Sequence, residues 1–186
     1  MSALPDRLLT SDEFIAWATR QPSGRYELVA GRIVAMVPER TRHNLAKLSV
    51  AMALREAVKR AGLPCEIFTD GMTVVIDQHH SREPDAAIQC GAANPPDAVV
   101  LEAPLIVVEV VSPSSERDDT GAKLIEYFSV ASIQHYIIVN PEKRVVVHRQ
   151  RDGAEIRTRV VGEDGGDLRF EPPGFTLAAA SLLEES

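Results

Sequence analysis

Apolar and polar residues fall into blocks whose period switches between helix-like and strand-like. Thr10 followed by Glu13 has the form of a capping box, and Phe14, Ile15 and Trp17 supply an apolar face, which predicts a short helix ending near Arg20. Two apolar-rich runs, 26–29 and 32–37, flank Ala30 and Gly31 and predict a hairpin. Alanine tolerates positive φ poorly, so a turn looser than two residues is expected there. Over 43–61, Leu45, Leu48, Met52 and Val58 recur at helical spacing, and Gly62 with Pro64 supplies the stop. Residues 66–68 and 72–76 flank Thr69, Asp70 and Gly71 and predict a second hairpin, followed by a polar loop over 77–83.

The second half is richer in strands. Residues 86–89 predict a short strand and 91–97 a loop of Gly, Pro and Asn; 105–111 is an apolar run broken only by Glu109, as expected of a central strand. After Ser112, Pro113, Ser114 and Ser115, a helix is predicted from about Asp119 to Val130, with Leu124, Tyr127 and Phe128 on one face. The β-branched runs 135–139 and 144–148 predict another hairpin, and the remainder predicts peripheral strands with a short C-terminal helix. The fold class is therefore α/β (α+β), a mixed β-sheet flanked by helices with additional β-hairpins.

Composition narrows this further. At 186 residues, 45% hydrophobic and 25% charged, residues 1–186 suit a single domain with one substantial core. No stretch approaches the roughly 18 apolar residues of a membrane span, and residues 1–10 lack the pattern of a secretory signal, so a cytoplasmic protein is expected. Cys65 and Cys90 form no CxxC pair and have no second set of ligands nearby; they are expected to be reduced thiols rather than a disulfide or a zinc site. The net charge of -7 argues against a broad phosphate-binding face, although Arg40, Arg42, Arg55 and Arg60 are available for a local basic stripe.

Glu109 is the informative anomaly, because a carboxylate inside an apolar strand must be desolvated and compensated. An arginine partner or a wet strand end would suffice for Glu109 alone. Asp85, after Pro84 at the mouth of the predicted strand 86–89, is by itself an ordinary turn acid. Together the two acids suit a divalent cation, since converging carboxylates repel unless neutralised and Mg²⁺ takes one or two of them while keeping waters for phosphate oxygens. His79 and His80 are adjacent on an extended segment, point oppositely and read as a solvated loop.

Pro84 and Asp85, the run from Val108 to Ser115, then Asp119, Lys123, Tyr127 and the run from Tyr136 to Pro141 together resemble the large bacterial Uma-two-type family, as do the run from Tyr26 to Val29, Gly31, Arg42 and His43. That family consists of restriction-endonuclease-like proteins, also catalogued as a domain of unknown function, within the PD-(D/E)XK nuclease superfamily; the resemblance covers 11–149. It implies a restriction-endonuclease-like fold and a metal-dependent endonuclease, with Asp85 and Glu109 as ligands of Mg²⁺ or Mn²⁺. The superfamily's usual lysine, two residues after the second acid, is replaced here by Val111. The resemblance implies that this role has moved to Lys123, for which an ion pair with Asp119 is the plainer reading. Glu27 and His43 are carried over to the same site, Glu27 as a metal or water ligand and His43 as a phosphate contact or proton carrier; their plainer readings are a solvated strand residue and a helix opener. The expected partner is nucleic acid, in the first place DNA, and cleavage of both strands would favour a homodimer. The alternatives are a catalytically inactive nuclease-fold binding protein and a metal-dependent hydrolase of a small phosphate ester.

Overall fold

In the computed structural model, which describes residues 5–111 and 121–184, the apolar run around Glu109 forms the strand from which the rest of the fold extends. In chain order the elements are α1 (Ser11–Ala18), β1 (Tyr26–Val29), β2 (Arg32–Ala35), α2 (Thr41–Arg60), β3 (Cys65–Thr69), β4 (Val74–Asp77), β5 (His80–Arg82), β6 (Ala86–Cys90) and β7 (Pro104–Val110). They continue with α3 (Ala122–Ser129), β8 (His135–Asn140), β9 (Val145–Asp152), β10 (Glu155–Gly162), β11 (Asp167–Phe170), β12 (Phe175–Ala178) and a 3₁₀ turn, Ala179–Leu182. A six-stranded sheet runs β10-β9-β8-β7-β6-β3, and a four-stranded sheet runs β2-β1-β5-β4. In the larger sheet β7 and β8 are parallel and every other neighbour is antiparallel, because the connection between these two carries the crossover helix α3. This is the expected mixed sheet flanked by helices.

Alternate residues of β7 serve different faces. Ile106, Val108 and Val110 pack with Val50, Leu54 and Val58 of α2, whereas Val107 and, just past the strand's end, Val111 pack with Tyr127, Phe128 and Tyr136 on the α3 side. Leu54 is fully buried, so truncation to alanine there would cost about 2–5 kcal/mol. The capping box forms as expected, Thr10 accepting from the Glu13 amide and Glu13 from the Thr10 amide.

Several local expectations are corrected. The Ala30 and Gly31 turn is a two-residue turn after all, with Val29 opposite Arg32 and φ of 49° and 74°. Such a turn matches strand twist better than a looser one, and this offsets the strain at alanine. Residues around Asp70 and Gly71 do not close a hairpin: β3 joins the larger sheet beside β6, and β4 joins the smaller one beside β5. The polar segment 77–83 contains β5, whose Ser81 is fully buried and donates its hydroxyl to Ser11 at 3.0 Å.

Helix α2 is where expected but presents another face. Its buried residues are Lys47, Val50, Ala51, Leu54, Ala57 and Val58, while Leu45, Leu48 and Met52 are 39%, 49% and 61% exposed. The contact stripe is made by Val50, Leu54, Ala57 and Val58, so of the four apolar residues that marked the helix only Val58 faces the core.

Cys65 and Cys90 are paired as a disulfide, contrary to the expectation of free thiols. They stand directly opposite in the β3–β6 ladder, with Cα atoms 3.9 Å apart, a proximity set by strand register rather than by sequence spacing. The bridge spans 25 residues, and constraining a loop of that size in the unfolded chain is worth about 3.5 kcal/mol. Reduction is expected to lower the unfolding free energy by that amount in a urea titration; superimposable curves with and without reductant would contradict a structural role.

Candidate active site

Three neighbouring strands end at one side of the larger sheet. The ladder row Thr69, Ala86 and Val108 is its last paired row through β3, β6 and β7, and one step beyond it stand Asp70, Asp85 and Glu109. The sheet therefore brings three acids to one end, two of them the expected pair. Asp85 is 6% exposed, and its Oδ2 accepts a hydrogen bond from the Val110 amide at 2.7 Å, which ties the mouth of β6 to the end of β7. Glu109 is 5% exposed and points to the α3 side, where its Oε1 accepts from the Tyr127 hydroxyl at 2.6 Å and lies 2.9 Å from Lys123 Nζ.

Lys123 and Tyr127 are four residues apart on α3, so one helix face delivers both groups to the same carboxylate. Burial, with Glu109 beside it, pushes the Tyr127 hydroxyl well above the ordinary phenol range and keeps it a donor. Asp119, the other expected partner of Lys123, lies outside the described residues, as do Ser112, Pro113, Ser114 and Ser115.

The other side of Asp85 is built by the first turns of α2. Lys47 Nζ lies 3.0 Å from Asp85 Oδ1, 2.6 Å from Glu39 Oε1 and 2.6 Å from Asp70 Oδ2. Burial alone would lower the Lys47 pKa; Asp85, Asp70 and Glu39 outweigh it and hold the ammonium above its usual range. Arg25 joins the same network, reaching Glu39 at 3.1 Å, Asp70 at 2.5 Å and Glu83 at 2.5 Å. Four carboxylates, Glu39, Asp70, Glu83 and Asp85, are thus joined by two cations, leaving two negative charges among these described residues. His43 stands beside them: its ring and the carboxylates of Glu39 and Asp85 offer ligand atoms that all lie within 4.8 Å of one another. His43 also borders a cleft of about 360 Å³ that includes Arg42, Val111 and Pro141.

Glu27 is placed differently. Its Oε2 is 2.9 Å from Arg82 Nη1 and its Oε1 accepts from the Glu83 amide at 3.2 Å, while Arg82 also grips both oxygens of Glu126 on α3 at 2.6 and 2.8 Å. Burial would lower the Arg82 pKa, but Glu126 and Glu27 raise it further, so this guanidinium is a permanent link between β1, β5 and α3. The structure therefore sets Asp85 with His43, Glu109 with Lys123, and Glu27 in an ion-pair chain that reaches the helix carrying Lys123.

Lys47, Glu39, Asp70 and Arg82 escaped the sequence reading. Lys47 had a legible signal: with Val50, Ala51, Leu54 and Val58 it lies on the buried stripe of α2, where an ammonium needs carboxylate partners just as Glu109 needs a cation.

The profile of the Uma2 family, described as "Putative restriction endonuclease", matches residues 11–180. An uncharacterised protein of Synechocystis sp. is 26% identical over 148 residues, spanning 78% of this chain and 76% of its own. A solved structure from Anabaena variabilis, described as "a putative nuclease belonging to DUF820", aligns with a TM-score of 0.72 at 19% identity, covering 94% of this chain and 97% of that one. At that identity the likeness is one of fold.

Proposed function

This chain belongs to the Uma2 family of restriction-endonuclease-like proteins, and from that membership we propose that it is a metal-dependent endonuclease hydrolysing phosphodiester bonds, with DNA as its substrate. The observation that carries this reading is the Lys123 ammonium 2.9 Å from Glu109, on a strand whose neighbour presents Asp85 at the same level. Two acids and a lysine on adjacent elements are the groups that metal-assisted phosphodiester hydrolysis needs.

The donor set fits a divalent ion. Asp85, Glu39 and His43 offer two carboxylates and an imidazole at ligand spacing, Glu109 follows the paired row at the matching step of the neighbouring strand, and the surrounding network lacks two positive charges. Asp85 and Glu109 are the proposed principal ligands of Mg²⁺ or Mn²⁺, with Glu39 and His43 completing the Asp85 side. When bound, such an ion polarises the scissile phosphate and lowers the pKa of a coordinated water.

The protein's own groups do the rest. Lys123 stabilises the charge that develops on the phosphate and orients the attacking water. Tyr127, held as a donor, fixes one oxygen of Glu109 and hence the direction of its carboxylate. His43, at the border of the open cleft, contacts phosphate or carries the proton to the leaving oxygen. Glu27, through Arg82 and Glu126, keeps α3 seated so that Lys123 stays on Glu109. With one site per chain, cutting both strands calls for a two-fold homodimer.

Oligonucleotide duplexes, single strands and supercoiled plasmid, incubated with and without Mg²⁺ or Mn²⁺, test the reading. Lys123→Met is expected to reduce ion-dependent cleavage on the order of 10²-fold. Equal rates for wild type and Lys123→Met would remove Lys123 from the mechanism. The net charge of -7 favours one second reading, a nuclease-fold protein that binds a partner other than bare duplex DNA. Absence of divalent binding at millimolar concentration by calorimetry would select it.

A further inference from the structure

We propose that Lys47 is a built-in counter-ion that competes with the divalent cation for Asp85 and Glu39, and that it withdraws to Asp70 when the ion binds. The inference rests on the metal-dependent reading above and concerns a residue that this reading does not use. An ammonium has three N–H donors, and here each meets a carboxylate: Glu39 at 2.6 Å, Asp70 at 2.6 Å and Asp85 at 3.0 Å. Its side chain is 5% exposed. Saturated and buried, Lys47 has no donor to offer a phosphate in this state, which sets it apart from Lys123 and makes it a positioning residue rather than a catalytic one.

Two of its three partners are also the acids that stand at ligand spacing with His43. Asp85 has no idle oxygen, since Oδ2 is taken by the Val110 amide and Oδ1 faces Lys47. An ion entering between Asp85, Glu39 and His43 would meet the ammonium at a separation where like charges repel strongly in a partly dry site. Asp70 gives Lys47 somewhere to go: it is outside the ligand group, on the neighbouring strand end, and already anchored by Arg25 at 2.5 Å. Without an ion, the same lysine keeps the three acids from repelling one another. One side chain thus holds the acids together in the absence of an ion and sets a threshold for binding one.

The test is calorimetric titration of Mn²⁺ into wild type, Lys47→Met and Lys47→Arg proteins. Removing the competitor while keeping the side-chain volume is expected to tighten Mn²⁺ binding about tenfold or more, and Lys47→Arg, which keeps the charge, is expected to stay near wild type. Unchanged or weaker binding by Lys47→Met overturns the proposal. Should that variant not fold, a crystal structure of wild type with Mn²⁺ decides. Lys47 Nζ is expected to have left its 3.0 Å contact with Asp85 while remaining on Asp70; Mn²⁺ bound at Asp85 with that contact intact overturns the proposal. The two failures are distinct. Mn²⁺ binding by wild type with no gain in Lys47→Met removes only the competition, whereas no binding by any of the proteins removes the metal site and the role of Lys47 together.

Discussion

Asp85→Asn is expected to lower ion-dependent DNA cleavage on the order of 10³-fold, equivalent to about 4 kcal/mol of transition-state stabilisation. The substitution is nearly isosteric, and the asparagine carbonyl can still accept from the Val110 amide, so the junction of β6 and β7 is kept. What is lost is a full negative charge where Lys47, His43 and the proposed ion converge. Lys47 retains Glu39 and Asp70, which limits the damage to folding. Wild-type and variant preparations should therefore melt within a few degrees of each other yet differ by orders of magnitude in nicking rate. Identical residual cleavage by both would identify the activity as a contaminant.

Acidification from pH 6.5 to pH 4.5 is expected to destabilise the fold by about 2 kcal/mol, through a pair of histidines remote from the candidate site. His135 on β8 and His148 on β9 are 0% and 5% exposed, share a 2.9 Å contact between ring nitrogens and pack against Phe170. The second nitrogen of His135 donates to the Pro172 carbonyl at 2.7 Å. Burial lowers both to about 4, and His135 and Arg159 add their positive potential at His148. As pH falls below 6.5 the unfolded chain takes up protons that the folded chain refuses, so stability is complete above the unfolded value and declines towards the folded one. A shift of this size corresponds to about 3 kcal/mol for one ring, and because the two rings touch, only one is counted. Urea titrations at pH 7.0, 5.5 and 4.5 on wild type and His148→Phe would check it. A wild-type slope in this window no steeper than the variant's would refute the assignment.

The features legible in the sequence were those in which a residue contradicted its neighbours. Glu109 interrupts an apolar run, and the strand around it proved to be interior to the larger sheet with its carboxylate compensated by Lys123 and Tyr127. The crossover helix was legible because Tyr127 and Phe128 are large and both buried. Helix α2 was recognisable as a helix but not in its rotation: Val50, Leu54, Ala57 and Val58 made the contact, and Leu45, Leu48 and Met52 drew attention to the exposed side. That misplaced face hid Lys47, and with it half of the charge network around Asp85.

Other features depend on strand register, which no local pattern encodes. Asp70 looks like a turn residue until β3 is placed beside β6, whereupon it enters the row of Asp85 and Glu109. The Cys65 and Cys90 pairing follows from the same placement. Strand β5, with His80, Ser81 and Arg82, has no apolar residue at all; hydroxyl and ion-pair contacts to Ser11, Glu27 and Glu126 hold it inside. A polar strand buried by its partners cannot be told from a loop by hydropathy.

Val111 occupies the position where the superfamily's usual pattern puts a lysine, and it is 2% exposed, packed with Tyr127 and Tyr136. Placing the ammonium on α3 instead separates two tasks that a single strand would otherwise share. The strand can evolve for packing at position 111, and the helix for charge at position 123, each without disturbing the other. The arrangement also makes the proposed catalytic lysine conditional: it stands at Glu109 only while Tyr127 and Phe128 keep the helix docked. A mutation that merely loosened that docking would take the ammonium away from Glu109 with every acid still in place.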